Sequence, residues 1–154
     1  MGPREAGKTA EDGTTISVFV PGDPKGQPRP RAFAFKGKAR MYDPGTAEFW
    51  KGEIAAALKP WAQRMWDGPV LVRASFSFRR PKSHFRKGGA LRDAAPSRHV
   101  QKPDIDNLLK AVLDCGSVIG IWRDDAQVAA VQTAKDWAGD KGPGLQLDIE
   151  TLEG

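Results

Sequence analysis

Cysteine and histidine are scarce in this chain, and each scarcity removes a class of function. The single cysteine, Cys115, excludes a disulfide within the chain. With only two histidines, His84 and His99, there are too few donors for a Cys/His zinc site, and no His-Glu-x-x-His spacing supports zinc hydrolysis. Cys115 lies in Val112-Leu-Asp-Cys-Gly116 without a placed base and reads as a small packing residue. There is no Gly-x-Ser-x-Gly for a serine nucleophile and no Gly-x-x-x-x-Gly-Lys-Ser/Thr for a nucleotide cofactor. No apolar run approaches the ~18 residues of a membrane span, and no apolar stretch at the start marks a secretion signal. The expected setting is the reduced cytoplasm, away from membranes.

What remains is a basic chain of 154 residues, 40% hydrophobic and 28% charged, with a net charge of +5 and a pI near 9.5. That is one ordinary domain with enough apolar material for a core. The charge favours a polyanionic partner such as nucleic acid. Residues 1–14 are polar and aperiodic and read as a flexible tail, leaving 15–154 as the domain. Strands are expected at Ile16–Val20, Val70–Phe78, Gln127–Thr133 and Leu145–Thr151, with a hairpin around Phe33, Phe35 and Arg40. One helix is expected from Ala47 to about Leu58, capped at Thr46 and burying Phe49, Trp50, Ile54 and Leu58. A further turn or two should run from Trp61 to Trp66. The second helix carries Ile105, Leu108, Leu109, Val112 and Leu113 at helical spacing and should stop near Gly116. Residues 79–103 show no periodicity and read as a long binding loop. The pattern implies an α+β fold, a mixed or antiparallel sheet with helices packed on one face.

Acidic residues are concentrated at one place. Asp104 and Asp106 lie in Pro103-Asp-Ile-Asp-Asn-Leu-Leu-Lys110, and Asp124 and Asp125 in Trp122-Arg-Asp-Asp-Ala-Gln127. Singly, each pair has a plain structural explanation: a helix cap and an Asp106–Lys110 ion pair for the first, a turn for the second. Together, joined by a helix that returns the chain, they suit Mg²⁺, which takes carboxylates, waters and substrate phosphates. Lys110 fits as the cation that neutralises charge on a phosphate. Two basic segments supply the partner surface. Lys25, Arg29, Arg31, Lys36, Lys38 and Arg40 crowd the first. Arg79, Arg80, Lys82, Arg86, Lys87, Arg92, Arg98 and Lys102 populate the second, against one Asp93. Phe33, Phe35, Phe85, His84 and His99 are interleaved, a composition suited to phosphate contact with stacking on exposed bases. These residues describe a metal-dependent nuclease.

Lys102-Pro-Asp-Ile-Asp-Asn-Leu-Leu-Lys-Ala-Val-Leu-Asp114 followed by Gly120-Ile-Trp-Arg-Asp-Asp-Ala-Gln-Val128 resembles the RusA family of Holliday junction resolvases, common in bacteria and their phages. Pro24-Lys-Gly-Gln-Pro-Arg-Pro-Arg31 and Arg80-Pro-Lys82 are also similar to that family, and the resemblance spans roughly residues 16–151. It implies that Asp104, Asp106 and Asp125 are the catalytic metal ligands, with Asp124 in support and Lys110 as the catalytic lysine. It further implies a homodimer that uses Mg²⁺ or Mn²⁺ to nick two strands of a four-way DNA junction symmetrically, in recombination and repair. A general branched-DNA or flap nuclease would share these residues, and an inactive junction-binding protein would share the basic loops.

Overall fold

The computed structural model describes residues 8–9, 14–27 and 44–153. Its centre is a five-stranded mixed sheet in the order β1-β2-β5-β3-β4. These strands are β1 (Lys8–Thr9), β2 (Thr15–Pro21), β3 (Val70–Phe78), β4 (Val128–Trp137) and β5 (Gly144–Thr151), with helices α1 (Pro44–Leu58) and α2 (Ile105–Ile119). All neighbours are antiparallel except β3 and β4, which are parallel. A parallel pair needs a long crossover, and α2 with its flanking loops supplies it. The α+β class expected from the sequence is the class observed. Of the segment read as a tail, Lys8–Thr9 pair with Ser17 and Ile16, and the expected hairpin around Phe33 to Arg40 lies outside the described residues.

Alternation along the strands decides which face is covered. Ile16, Val18 and Val20, then Val72, Ala74, Phe76 and Phe78, then Leu145, Leu147 and Ile149 are buried on the helix side. They pack with Trp50, Ile54 and Leu58 of α1 and Leu108, Val112 and Cys115 of α2 in one core. The opposite face is polar. Arg73 there reaches Glu150 at 2.9 Å and donates to Gln132 at 3.1 Å, and Ser17 donates to Asp148 at 2.5 Å.

Several boundaries differ from expectation. α1 starts at Pro44, ahead of Thr46, since proline suits the first helical turn. Phe49 is 69% exposed, because at 100° per residue it falls beside the Ala47–Trp50–Ile54–Leu58 stripe that is buried. Only Lys59–Trp61 continue as a 3₁₀ turn. Residues 63–66 instead run beside the end of α2, with Gln63, Met65 and Trp66 N–H groups donating to the carbonyls of Ile119, Gly120 and Ile121 at 2.8–2.9 Å. β4 runs on to Trp137, four residues past its expected end. The 79–103 loop is also more organised than its sequence suggests. It holds a 3₁₀ turn at Lys82–His84 and a Phe85–Leu91 bridge, and it docks on β4 through His99 N–H to Lys135 and Trp137 N–H to Ser97.

α2 passes through Gly116 and ends at Gly120, whose φ of 80° is the left-handed cap that glycine favours. Gly116 has a different task. A Cβ there would lie 2.4 Å from the Trp122 ring, so the helix needs a glycine to let a fully buried tryptophan lie against it. Gly116→Ala should therefore overpack the core and lower stability by about 1–3 kcal/mol, read as a fall in denaturation midpoint. An unchanged midpoint would mean that the indole moves aside at no cost.

Candidate nucleic-acid and metal site

The two acidic motifs occupy opposite ends of α2. Asp104 stands at the N-cap position with extended backbone, yet its side chain makes no capping hydrogen bond. Its two carboxylate oxygens accept from Lys102 Nζ at 2.9 and 3.0 Å. Asp106 follows in the first turn and is exposed. Carboxylates at a helix start are favoured by the macrodipole. The approach to the helix is pinned by Lys135, whose Nζ donates to the carbonyls of Gln101 at 2.6 Å and Pro103 at 2.8 Å. The Pro24–Gln27 segment crosses the same helix end, with Gln27 N–H donating to Asn107 O at 3.0 Å. Gly26 fits there because a Cβ would come within 3.1 Å of Asn107 and 3.3 Å of Pro103. Lys110 lies one turn further along, 60% exposed, 3.4 Å from Asp114.

At the other end, Asp124 caps the short turn Asp125–Gln127. It accepts from Ala126 N at 2.8 Å, while Gln127 Oε1 accepts from the backbone of Asp124 and Arg123. Asp124 is thus the turn residue that its local sequence allowed. Asp125 is half-buried and set by α2 itself: Ser117 Oγ donates to its Oδ1, and Trp122 Nε1 donates to the same oxygen at 3.1 Å. Eleven residues of helix separate Asp106 from Ser117, about 16 Å along the axis at ~1.5 Å per residue. Asp125 therefore does not share a coordination sphere with Asp104 and Asp106 of its own chain. Among the described residues no group of three or more His, Cys, Asp or Glu is placed to hold a metal. Within one chain the four aspartates form two pairs, one at each end of the helix.

The cationic residues divide similarly. Lys25, Arg79, Arg80 and Lys102 line one cleft of about 750 Å³ with Phe78, His99 and Trp137, beside Asp104. Arg79 lies 3.6 Å from Asp23, and Arg80 donates to Pro96 O at 2.8 Å. A second, shallower hollow joins Arg98, His99 and Lys135 to Asp104 and Asp106. Arg98 pairs with Asp136 at 3.0 Å and Arg86 with Asp93 at 3.2 Å. Lys82 and Lys87 project from the loop, both exposed. Arg29, Arg31, Lys36, Lys38 and Arg40 lie outside the described residues.

His99 is buried, which its place in a basic loop did not suggest. It is 5% exposed, stacked on Phe78 at 3.9 Å and set edge-on to Trp137 at 4.5 Å. Burial, and then the nearby Lys135 charge, lower its pKa. Cys115 matches its packing role: it is buried, and burial pushes its thiol up to about 11. Lys135, Ser117 and Trp122 were missed as site residues. Lys135 carried one signal, as the single cation within the β4 alternation, and Ser117 none that distinguishes it from any helix serine.

The geometry is that of a small α+β domain with carboxylates at a helix start and a basic approach. Comparison with known proteins gives the family. The model for the endodeoxyribonuclease RusA matches residues 21–150, and the chain belongs to that family. It is also 31% identical over 123 residues to the uncharacterized protein YqaN of Bacillus subtilis (strain 168), covering 78% of this chain and 86% of that protein. No helix among the described residues is long and apolar enough to cross a membrane.

A lowered His99 pKa has a consequence for stability. Between the folded and unfolded pKa values the unfolded chain binds more protons, so stability is full above the unfolded value near 6.5 and declines as pH falls below it. Melting temperature should drop between pH 6.5 and 5.5 and drop less in His99→Gln. An equal slope in both would show that other groups carry the effect.

Proposed function

We propose that this endodeoxyribonuclease resolves four-way DNA junctions with Mg²⁺, or Mn²⁺ in its place, as a homodimer that makes paired symmetric nicks in recombination and repair. The observation that carries the reading is the pairing of Asp104 and Asp106 at the start of α2, flanked by Lys102 and a basic cleft. Two hard oxygen donors with waters and a substrate phosphate fit the preference of Mg²⁺. When bound, such an ion lowers the pKa of a coordinated water and stabilises the leaving oxygen. Lys102 shares charge with Asp104 until the phosphate arrives, and Lys110, exposed one turn further along α2 and paired with Asp114 at 3.4 Å, would swing toward the phosphate to offset its charge. The basic loops bring the DNA backbone to these groups.

The separation of Asp125 from Asp104 and Asp106 is itself an argument for the dimer. Asp125 joins the other two only from a second copy of the chain. In a C₂ pair the end of one α2 meets the start of the other, and the operation generates two equivalent sites. Two sites related by a two-fold axis suit the two-fold symmetry of a four-way junction. Ile105 and Val118 of α2 and Val131 of β4 are exposed, apolar side chains of the kind that such a contact covers.

The test is cleavage of a synthetic four-way junction beside a matched duplex and a flap, in Mg²⁺ and in EDTA. Paired nicks in the junction alone, lost in EDTA and in Asp106→Asn, are expected. Equal cutting of the flap would point instead to a general branched-DNA nuclease, and binding without cleavage to an inactive relative. Mixing addresses the shared site. Asp106→Asn and Asp125→Asn should each be inactive alone, but their mixture should regain single-strand nicking, because one site of the mixed dimer is intact. A mixture that stays dead would place all the ligands within one chain. Ser117→Ala, which releases Asp125 from its orienting hydroxyl, should raise the Mg²⁺ needed for half-maximal cleavage by about ten-fold, with Ser117→Thr restoring it. An unchanged Mg²⁺ requirement would remove Ser117 from the site.

A further inference from the structure

The cleft beside Asp104 is more than a path for the DNA backbone. We propose that it binds one unstacked nucleotide at the branch point, base against an aromatic floor and phosphate on a cationic rim. The inference rests on the junction reading above and deepens it, since it names what selects a branch over continuous duplex.

Four observations support it. The size is right: about 750 Å³ lies within the usual range for a small-molecule site and is ample for one nucleotide. The floor is right: Phe78, His99 and Trp137 form one aromatic cluster, joined by the 3.9 Å stack and the 4.5 Å edge contact. Every base has a π-face, and stacking on such residues is the general means of holding single-stranded nucleic acid. The rim is right: Lys25, Arg79, Arg80 and Lys102 supply four cations against the single carboxylate of Asp23. Finally, His99 lines the cleft, is 95% buried, and its Nδ1 has no hydrogen-bond partner. Buried polar atoms are rarely left so, and a turn of the ring toward the cleft would give Nδ1 a base edge to bond.

The location gives the site its meaning. Lys102 lines the cleft and also bonds Asp104, and Pro103 lines it one residue before that carboxylate. A nucleotide seated here would hold its neighbouring phosphodiester at the start of α2. Extruding a base costs least where pairing is already interrupted. The cleft would therefore be filled readily at a branch and rarely in continuous duplex, which couples branch recognition to the position of the cut.

The experiment uses the full-length protein in EDTA, so that binding is read without cleavage. Four-way junctions carry 2-aminopurine at each branch nucleotide in turn, and a parallel set carries 5-iodouracil for photo-cross-linking. The parent should bind and raise 2-aminopurine fluorescence several-fold at one branch position, with cross-links mapping to Phe78–Pro81, His99–Lys102 or Trp137. Trp137→Leu keeps the apolar volume but loses the ring. It should bind about ten-fold more weakly, as expected for one lost stacking contact, and should lose the fluorescence rise. Tight junction binding with no rise at any branch position, or with cross-links only outside the cleft, would overturn the proposal while leaving the nuclease reading intact. Failure of the parent to bind any junction would overturn both. Should Trp137→Leu not fold, the cross-links of the parent decide.

Discussion

The Trp122 indole is the contact on which the arrangement of this molecule depends. It is fully buried, it lies where a side chain on residue 116 would otherwise be, and its Nε1 donates to Ser117 and Asp125. One side chain thereby fixes three things: the depth at which α2 rests, the direction in which the chain leaves that helix, and the orientation of a carboxylate. Gln127 extends the anchorage by donating to the carbonyls of Trp66 and Gly68 at 2.7 and 2.9 Å, which ties the acidic turn to the entrance of β3. The far end of α2 is fixed independently by Lys135 and by the Pro24–Gln27 segment. A rigid rod pinned at both ends sets the distance between the two acidic groups.

The parts of the fold that were legible in the sequence are those governed by local period. β3 and the start of α2 were expected at the residues where they occur, because alternation and helical spacing there are undisturbed. The end of α2 was not, since Gly116 reads locally as a stop, and its tertiary role against Trp122 cannot be seen from its neighbours. Phe49 was assigned to the core because it is aromatic, although its angular position places it outside the buried stripe. The extent of β4 was obscured by Lys135 and Asp136, polar residues that the docked 97–99 segment accommodates within a strand.

The same holds for the site. The family was legible from the acidic motifs, whose aspartates lie within the matched residues 21–150. Their placement was not legible. A sequence shows that a helix lies between two acidic motifs, but whether the chain doubles back to bring them together depends on where the following strand pairs. Here β4 pairs parallel to β3 and carries the chain back past the start of α2 only at Lys135, well after Asp125. His99 was likewise legible as a residue of a basic loop but not as a buried one, because its burial depends on Phe78 and Trp137 from two different strands.

The strand order has a consequence for how the molecule is made. β5, the last strand along the chain, sits between β2 and β3 and is hydrogen-bonded to both. Until it is in place, β2 has no partner on its inner side, and β3 is joined to the sheet only through β4. A nascent chain emerging from the ribosome can thus form α1, α2 and their local turns early, but the two halves of its sheet meet only when Leu145–Thr151 arrives. Closure of the sheet is therefore a late, non-local event that waits on the pairing of β5 with strands far from it in sequence.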